Sequence, residues 1–230
     1  EQLKQIGYRG LGHAADRHRH SRHSMAPANR LDRLIHHLQQ ERHLPCIFFT
    51  FGRRRAEELA WEVSGFQLLS DEERTKLRRL FNELCAAFQL SGDRNVEALG
   101  HLIERGVAYH HAGMLPTVKE VLERCFSSRL MKLIVTTETF ALGVNMPARS
   151  VVLDTLKKRS GGGFELLRRR DLQQMAGRAG RRGMDTEGFV YLRVNPAHVT
   201  YPEVLHLLNG APEPVHSRFN TAYATLLNLY

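Results

Sequence analysis

No apolar run in this 230-residue chain approaches the roughly 20 residues that span a bilayer, so no transmembrane helix is expected. Cysteine is scarce: Cys46, Cys85 and Cys125 form no C-x-x-C pair, and their number is odd. That excludes a disulfide scaffold and a cysteine zinc site, and predicts buried reduced thiols in a cytoplasmic protein. Glu1–Gly10 has no apolar signal-peptide core, and without an initiating Met the chain reads as a piece of a longer polypeptide. No repeat is visible. Neither a G-x-x-x-x-G-K-S/T loop nor a D-E-x-H or D-E-x-D run occurs; Asp71–Glu72–Glu73, on an amphipathic helix, is the nearest approach. The lysine cradle and metal-binding carboxylate of a nucleotide-hydrolysing site are therefore missing, and such chemistry would need groups from outside this sequence.

What is abundant is positive charge. Lys+Arg 33 against Asp+Glu 24 gives a net charge of +9, which favours a polyanionic partner, nucleic acid before anionic membrane. Hydrophobic content of 42% is ordinary for a globular domain, so a packed core is expected. His13, Arg17, His18, Arg19, His20, Arg22 and His23 crowd the start with almost no apolar residue, which makes residues 1–29 a basic linker. No carboxylate or cysteine pattern turns that tract into a defined metal site.

Beyond the linker, short apolar runs alternate with helical spacing. Helices are expected over Arg30–Glu41 (Asn29 as N-cap), Arg53–Val63, Asp71–Leu90, Val96–Ile103, Met114–Phe126, Thr137–Leu142, from an N-cap at Asp171, and Tyr201–Leu208. Ser70 with Glu73 makes a capping box, and Trp61 is expected to pack its helix. Strands are expected over Cys46–Phe51, Gly106–Tyr109, Met131–Thr136, Ser150–Asp154 and Gly188–Val194, with Lys157–Gly163 as a basic, glycine-rich loop. Asn209–Pro214 reads as a linker and Ser217–Leu229 as the start of a further helix. The alternation predicts an α/β fold, a parallel sheet with helices on both faces. Ligands of such sheets bind beyond the carboxyl ends of the strands, which nominates Thr50–Arg53 and Thr136–Thr139, either as phosphate contacts or as simple helix caps.

The stretch Gln174–Gly183 (QMAGRAGRRG) stands apart. As a helix it would align Gln174, Arg178 and Arg181 on one face at i, i+4 and i+7, at a cost of about 1 kcal/mol for each of Gly177 and Gly180. Two guanidiniums on one stripe suit a phosphate; a solvated charged face is the alternative. The adjacent His110 and His111 point to opposite faces of an extended chain, so they are no metal pair. One is expected to pack, and the other to cap the turn or touch a phosphate.

Phe49–Arg53 (FTFGR), Thr137–Pro147 (TETFALGVNMP) and Gln174–Gly183 together resemble, in order and spacing, the fourth, fifth and sixth motifs of superfamily 2 helicases. Gly106–Pro116 (GVAYHHAGMLP), Asn145–Arg149, Lys157–Lys158, Gly161–Phe164, Arg182–Asp185 (RGMD) and Glu187–Gly188 are similar to the superkiller-type DExH RNA helicases that assist the exosome. The resemblance covers roughly residues 30–230. It implies a second RecA-like domain over residues 30–209 and the opening of a winged-helix domain over 210–230.

By that resemblance, Arg178 and Arg181 match arginine fingers directed at ATP, with Mg2+, held by the first RecA-like domain of the same polypeptide. Gln174 shares their motif, and Gly143 and Asn145 match positions beside the nucleotide. Thr137 matches a threonine that holds a nucleic-acid phosphate, with Glu138 beside it. Phe49, Thr50, Gly52 and Arg53, with His111 and Gly113, match motifs that line the path of single-stranded RNA. Gly52 replaces a common serine, which leaves the backbone N–H as donor there, and Arg168–Arg170 are more basic than usual. The expectation is the C-terminal motor domain of an ATP-dependent RNA helicase, inactive alone, with an exosome-like partner by family inference. A DNA-unwinding relative and a non-catalytic nucleic-acid-binding module remain the alternatives.

Overall fold

The computed structural model describes residues 30–90, 92–143 and 146–210. In chain order these form α1 (Leu31–Gln40), β1 (Cys46–Thr50), α2 (Arg53–Ser64), α3 (Asp71–Ala87), α4 (Arg94–Ile103), β2 (Val107–His110) and α5 (Pro116–Ser127). There follow β3 (Leu133–Thr137), α6 (Thr139–Gly143), β4 (Ser150–Leu153), β5 (Lys157–Ser160), β6 (Gly163–Leu166), α7 (Arg169–Ala176), β7 (Phe189–Leu192) and α8 (Tyr201–Asn209). The basic linker, Asn29 and the segment 211–230 expected to open another domain lie outside the described residues.

Five strands make one sheet in the order β2-β3-β1-β4-β7, every pair parallel. These are the five runs expected from composition. β1 and β4 are buried along their whole length and β3 in all but its last residue, so helices cover both faces of the sheet centre, as in a RecA-like domain. Edge strand β7 is less covered, with Val190 41% exposed. Helix α3 starts with the expected capping box: Ser70 Oγ accepts from Glu73 N at 3.2 Å, and Ser70 N donates to Glu73 Oε2 at 3.0 Å.

Several local expectations are overturned. Arg30 rather than Asn29 occupies the N-cap of α1, and Arg168 rather than Asp171 that of α7; Asp171 lies in the first turn, where a carboxylate suits the helix dipole. Lys157–Gly163 is not a loop: it contributes β5 and the turn of an antiparallel hairpin with β6. Trp61 is 46% exposed on α2 rather than packed. All three cysteines are buried and free, and burial pushes the Cys46 and Cys125 thiols up to about 12, which keeps them unreactive.

Two histidines are held neutral by the core. His43 stacks on Phe189 at 3.6 Å, with Nδ1 2.5 Å from the Tyr191 hydroxyl, which in turn lies 3.3 Å from His37 Nε2. Its pKa is lowered by burial first, then by the charges of Arg149 and His37, against Glu41. His110, at the end of β2, sets Nε2 2.8 Å from Glu123 Oε1 and its ring edge-on to Phe140; burial lowers its pKa against the pull of Glu123. Below about pH 6.5 the unfolded chain takes up protons that these sites refuse until their lower folded pKa values are reached. Stability is therefore full above that range and falls on acidification through it, by up to about 1.4 kcal/mol per pH unit for each histidine. Urea unfolding between pH 7.5 and 5 should show the fall, and His43→Gln should flatten it; a midpoint indifferent to pH would refute the assignment.

Candidate nucleotide and nucleic-acid interface

The carboxyl ends of β2, β3 and β1 lie side by side, because His110 pairs with Thr136 and Thr50 with Thr137. With neighbouring strands about 4.8 Å apart, the residues just beyond these ends form one crest roughly 10 Å wide. His111, Thr137, Thr50, Gly52 and Arg53, drawn from three distant sequence segments, meet there.

Not all of them present side chains. Phe49 and Thr50 are fully buried, and the Thr50 hydroxyl is used internally, donating to the carbonyls of Gly52 at 3.3 Å and Thr136 at 3.4 Å. These two frame the crest from below; their side chains do not form its surface. Thr137 ends β3 with its hydroxyl 3.1 Å from that of Thr139. His111 is buried, and its Nδ1 accepts the Gly113 N–H at 3.2 Å, which places the ring proton on Nε2, 2.9 Å from Glu57 Oε1. Its role in this structure is to cap the turn, the ring stacked parallel on Tyr109. His110 is the packing partner of the pair.

The outward charge of the crest comes from α2. Its first turn is Arg53, Arg54 and Arg55, with no acidic residue, although cations at a helix N-terminus oppose the macrodipole. Arg54 is answered by Glu58 and Arg55 by Asp154, at 2.8 and 2.9 Å. Arg53 has no ion pair among the described residues and is exposed, its guanidinium lying over Gly113, where an added Cβ would sit 3.2 Å from Nη1. An uncompensated arginine at a helix N-terminus costs stability and creates an anion site. Gly52, the N-cap, is extended at φ −153° and has room for a side chain, so nothing steric requires glycine in place of serine.

Glu138 behaves differently. Its carboxylate accepts from Lys158 Nζ at 3.0 Å, and Lys158 also reaches Asp171 at 2.9 Å, tying the crest to the β5–β6 hairpin and to α7. Burial works against the Lys158 ammonium, but the two carboxylates outweigh it and raise its pKa. Lys158 is thus a structural hub, with Glu138 as an anchor. The same residues and Gln174, Arg168 and Arg170 line a groove of about 330 Å³.

The arginine segment is not one helix. α7 stops at Ala176, with Gly177 as C-cap, and the chain then leaves helical geometry; Gly180 has φ +88°, a conformation open to glycine and strained for other residues. Gln174 is exposed on α7, Arg178 lies just past the cap, and Arg181 sits in a separate turn, so the single face at i, i+4, i+7 does not exist. Tertiary pinning replaces the helix: Ala148 N donates to Arg178 O at 2.9 Å and Gly180 N to Ala148 O at 2.7 Å. The Arg178 guanidinium donates to the carbonyl of Ala141 in α6. Arg181 grips Asp185 side-on, Nε to Oδ2 and Nη2 to Oδ1, both 2.7 Å, while its own N–H donates to Oδ2 at 2.9 Å. The Arg181 hydrogen bond, ahead of burial, drives the Asp185 carboxyl down to about 2. Gly143 ends α6, and Asn145 lies outside the described residues.

Helix α6 thereby joins the two groups. It begins two residues after Thr137 on the crest, and its Ala141 receives Arg178; five residues at 1.5 Å each make this link only about 7.5 Å long. Helical spacing does not point to Asp185; its sequence signal is an acid four residues after Arg181. Among the described residues no helix is long and apolar enough to cross a membrane, and no group of three or more His, Cys, Asp or Glu could hold a metal ion.

Residues 80–183 match the family described as the helicase conserved C-terminal domain. The mouse protein named Superkiller complex protein 2 is 38% identical over 199 residues, 85% of this chain and 16% of the mouse protein. The yeast Antiviral helicase SKI2 is 34% identical, over 85% of this chain and 15% of its own length. The mouse Exosome RNA helicase MTR4 is 35% identical, over 86% of this chain and 19% of its own. The chain thus spans less than a fifth of the length of these relatives.

Proposed function

The chain is a helicase C-terminal domain of the superkiller-type DExH RNA helicase family, a second RecA-like domain, and from that premise we propose that it is half of an ATP-driven RNA motor. Residues 30–209 would form that half, between a basic linker and the opening of a winged-helix domain. The other half of the active site, the phosphate loop and the metal-binding carboxylate that holds Mg2+, would belong to a first RecA-like domain of the longer chain, so this domain alone would not hydrolyse ATP. The name of the relative MTR4, an exosome RNA helicase, also supports an exosome-type partner for the whole protein.

The observation that carries the reading is the short path through α6. One end meets a crest with an uncompensated N-terminal arginine and backbone N–H groups; the other touches a loop that pins two arginines. The crest suits sequence-independent contact with nucleic-acid phosphates. The arginine loop fits the terminal phosphates of ATP approached across a domain cleft, where guanidiniums stabilise the charge that develops during phosphoryl transfer. A shift at Arg178 on closure would press on Ala141 and reach Thr137 through one short helix. Asn145 and Gly143 would flank the nucleotide, and Thr137 with the N–H groups around Gly52 and the Arg53 guanidinium over Gly113 would hold the strand.

RNA-stimulated ATPase of the full-length protein, compared with DNA at equal salt, tests the substrate class; stronger stimulation by DNA would overturn the RNA assignment. Arg53→Ala should weaken single-stranded RNA binding similarly for every sequence and lower the salt slope by about one counterion, read by titration from 50 to 200 mM salt. An unchanged slope would remove Arg53 from the strand path.

A further inference from the structure

Asp185 is 1% exposed at its side chain, yet it carries a full negative charge. It accepts three hydrogen bonds from one residue, Arg181, and a fourth contact from Arg149 Nη1 at 3.2 Å. The pairing geometry matters. Asp185 occupies the Nε–Nη2 edge of the guanidinium, while the second Nη2 hydrogen and both Nη1 hydrogens are not used in that fork. The end-on edge of Arg181 can therefore take a phosphate bidentately while its side-on edge stays gripped. The Arg181 side chain is 18% exposed, so it is not sealed in the core. A long side chain that would otherwise lose rotamer freedom on reaching a phosphate is already fixed.

We propose that Asp185 is a positioning residue that presents the free edge of Arg181 to the transferred phosphate. The proposal rests on the reading of Arg181 as a phosphate-facing arginine. Asp185 touches neither nucleotide nor nucleic acid; it acts by holding the direction of one guanidinium. Misplacement by about 1 Å in such a group costs on the order of a hundredfold in rate. The effect belongs in turnover rather than in ground-state binding, because the charge that Arg181 meets is largest in the transition state.

The test uses the full-length protein and reads kcat and KM for RNA-stimulated ATP hydrolysis, with thermal unfolding alongside. Asp185→Asn keeps the shape and removes the charge; it should lower kcat by roughly ten- to a hundredfold with KM for ATP unchanged. The double variant Arg181→Ala/Asp185→Asn should be no slower than Arg181→Ala alone, because Asp185 has nothing left to position. Should Asp185→Asn fail to fold, Asp185→Glu retains the charge, displaces the carboxylate by one methylene, and should show the same kcat loss. If Arg181→Ala is inactive but Asp185 variants turn over normally, faster than wild type, or additively with Arg181→Ala, the positioning role is wrong and the Arg181 reading survives. If Arg181→Ala itself turns over normally, the reading and the role built on it both fall.

Discussion

In the full-length protein, Arg178→Ala and Arg181→Ala are each expected to cut the proposed RNA-stimulated ATP turnover by about a thousandfold while ATP still binds. The size follows from where the charges stand. Arginines that reach a transferred phosphoryl group from a second domain act on charge that grows along the reaction, so their removal falls on kcat. The two should differ in what else they disturb. Arg178 also donates to the Ala141 carbonyl, so its loss cuts the link through α6 and should weaken the coupling between RNA binding and turnover. Among the described residues Arg181 donates only to Asp185, and its loss leaves a buried carboxylate with Arg149 as its partner. Arg181→Ala should therefore also lower the unfolding temperature, since uncovering a buried charge is destabilising. Lysine at either position should not restore turnover, because a single ammonium cannot reproduce the planar fork. Wild-type turnover in both alanine variants, measured with saturating RNA, would sink the finger assignment.

The fold was legible from the sequence because its signals are local. Cys46–Thr50, Leu133–Thr137 and Ser150–Leu153 are short runs of buried β-branched and apolar residues, and such runs have few readings other than central parallel strands. The crest was legible for the same reason: once strands are parallel, the residues after them share one edge. The arginine segment was not, because spacing of i, i+4, i+7 says nothing about whether a helix persists. Gly177 closes α7, Gly180 turns the chain, and Ala148, thirty residues earlier, fixes the result. The hairpin is hidden by composition, since Lys157–Ser160 has no apolar alternation; Gly161–Gly162 between the strands is its one local turn signal. Glu138 and Asp185 show the remaining gap. Both are acids in arginine- and lysine-rich motifs, and only the partners Lys158 and Arg181 separate an anchor from a positioning group.

Gly188→Ala should be the most damaging single methyl in the arginine loop. A Cβ at Gly188 would sit 2.5 Å from the carbonyl carbon of Ala179, and 2.6 Å from its oxygen and from Gly180 N. These are backbone atoms, and no rotamer relieves them. Ala179 cannot simply retreat, because the segment is pinned on its other side by the two hydrogen bonds to Ala148, and Phe189 begins the register with Ser150. The methyl must either break that bridge or push residues 186–188 outward. Gly188 lies at the surface, so the chain there can yield, and the stability cost is expected at about 1–3 kcal/mol rather than complete unfolding. The displacement is transmitted to Arg178 and Arg181 on either side of Ala179, so turnover in the full-length protein should fall by at least about tenfold at temperatures where the variant is still folded. Gly183→Ala separates backbone strain from collision: Gly183, unlike Gly188, is at positive φ (+76°), and nothing lies within 4 Å of its Cβ. It should cost about 1–2 kcal/mol of stability from conformation alone and leave the Ala148 bridge in place. Denaturant unfolding of both variants, paired with ATPase at matched folded fraction, checks the distinction. Equal loss of turnover in the two would mean that the close approach of Gly188 to Ala179 does not hold the arginines.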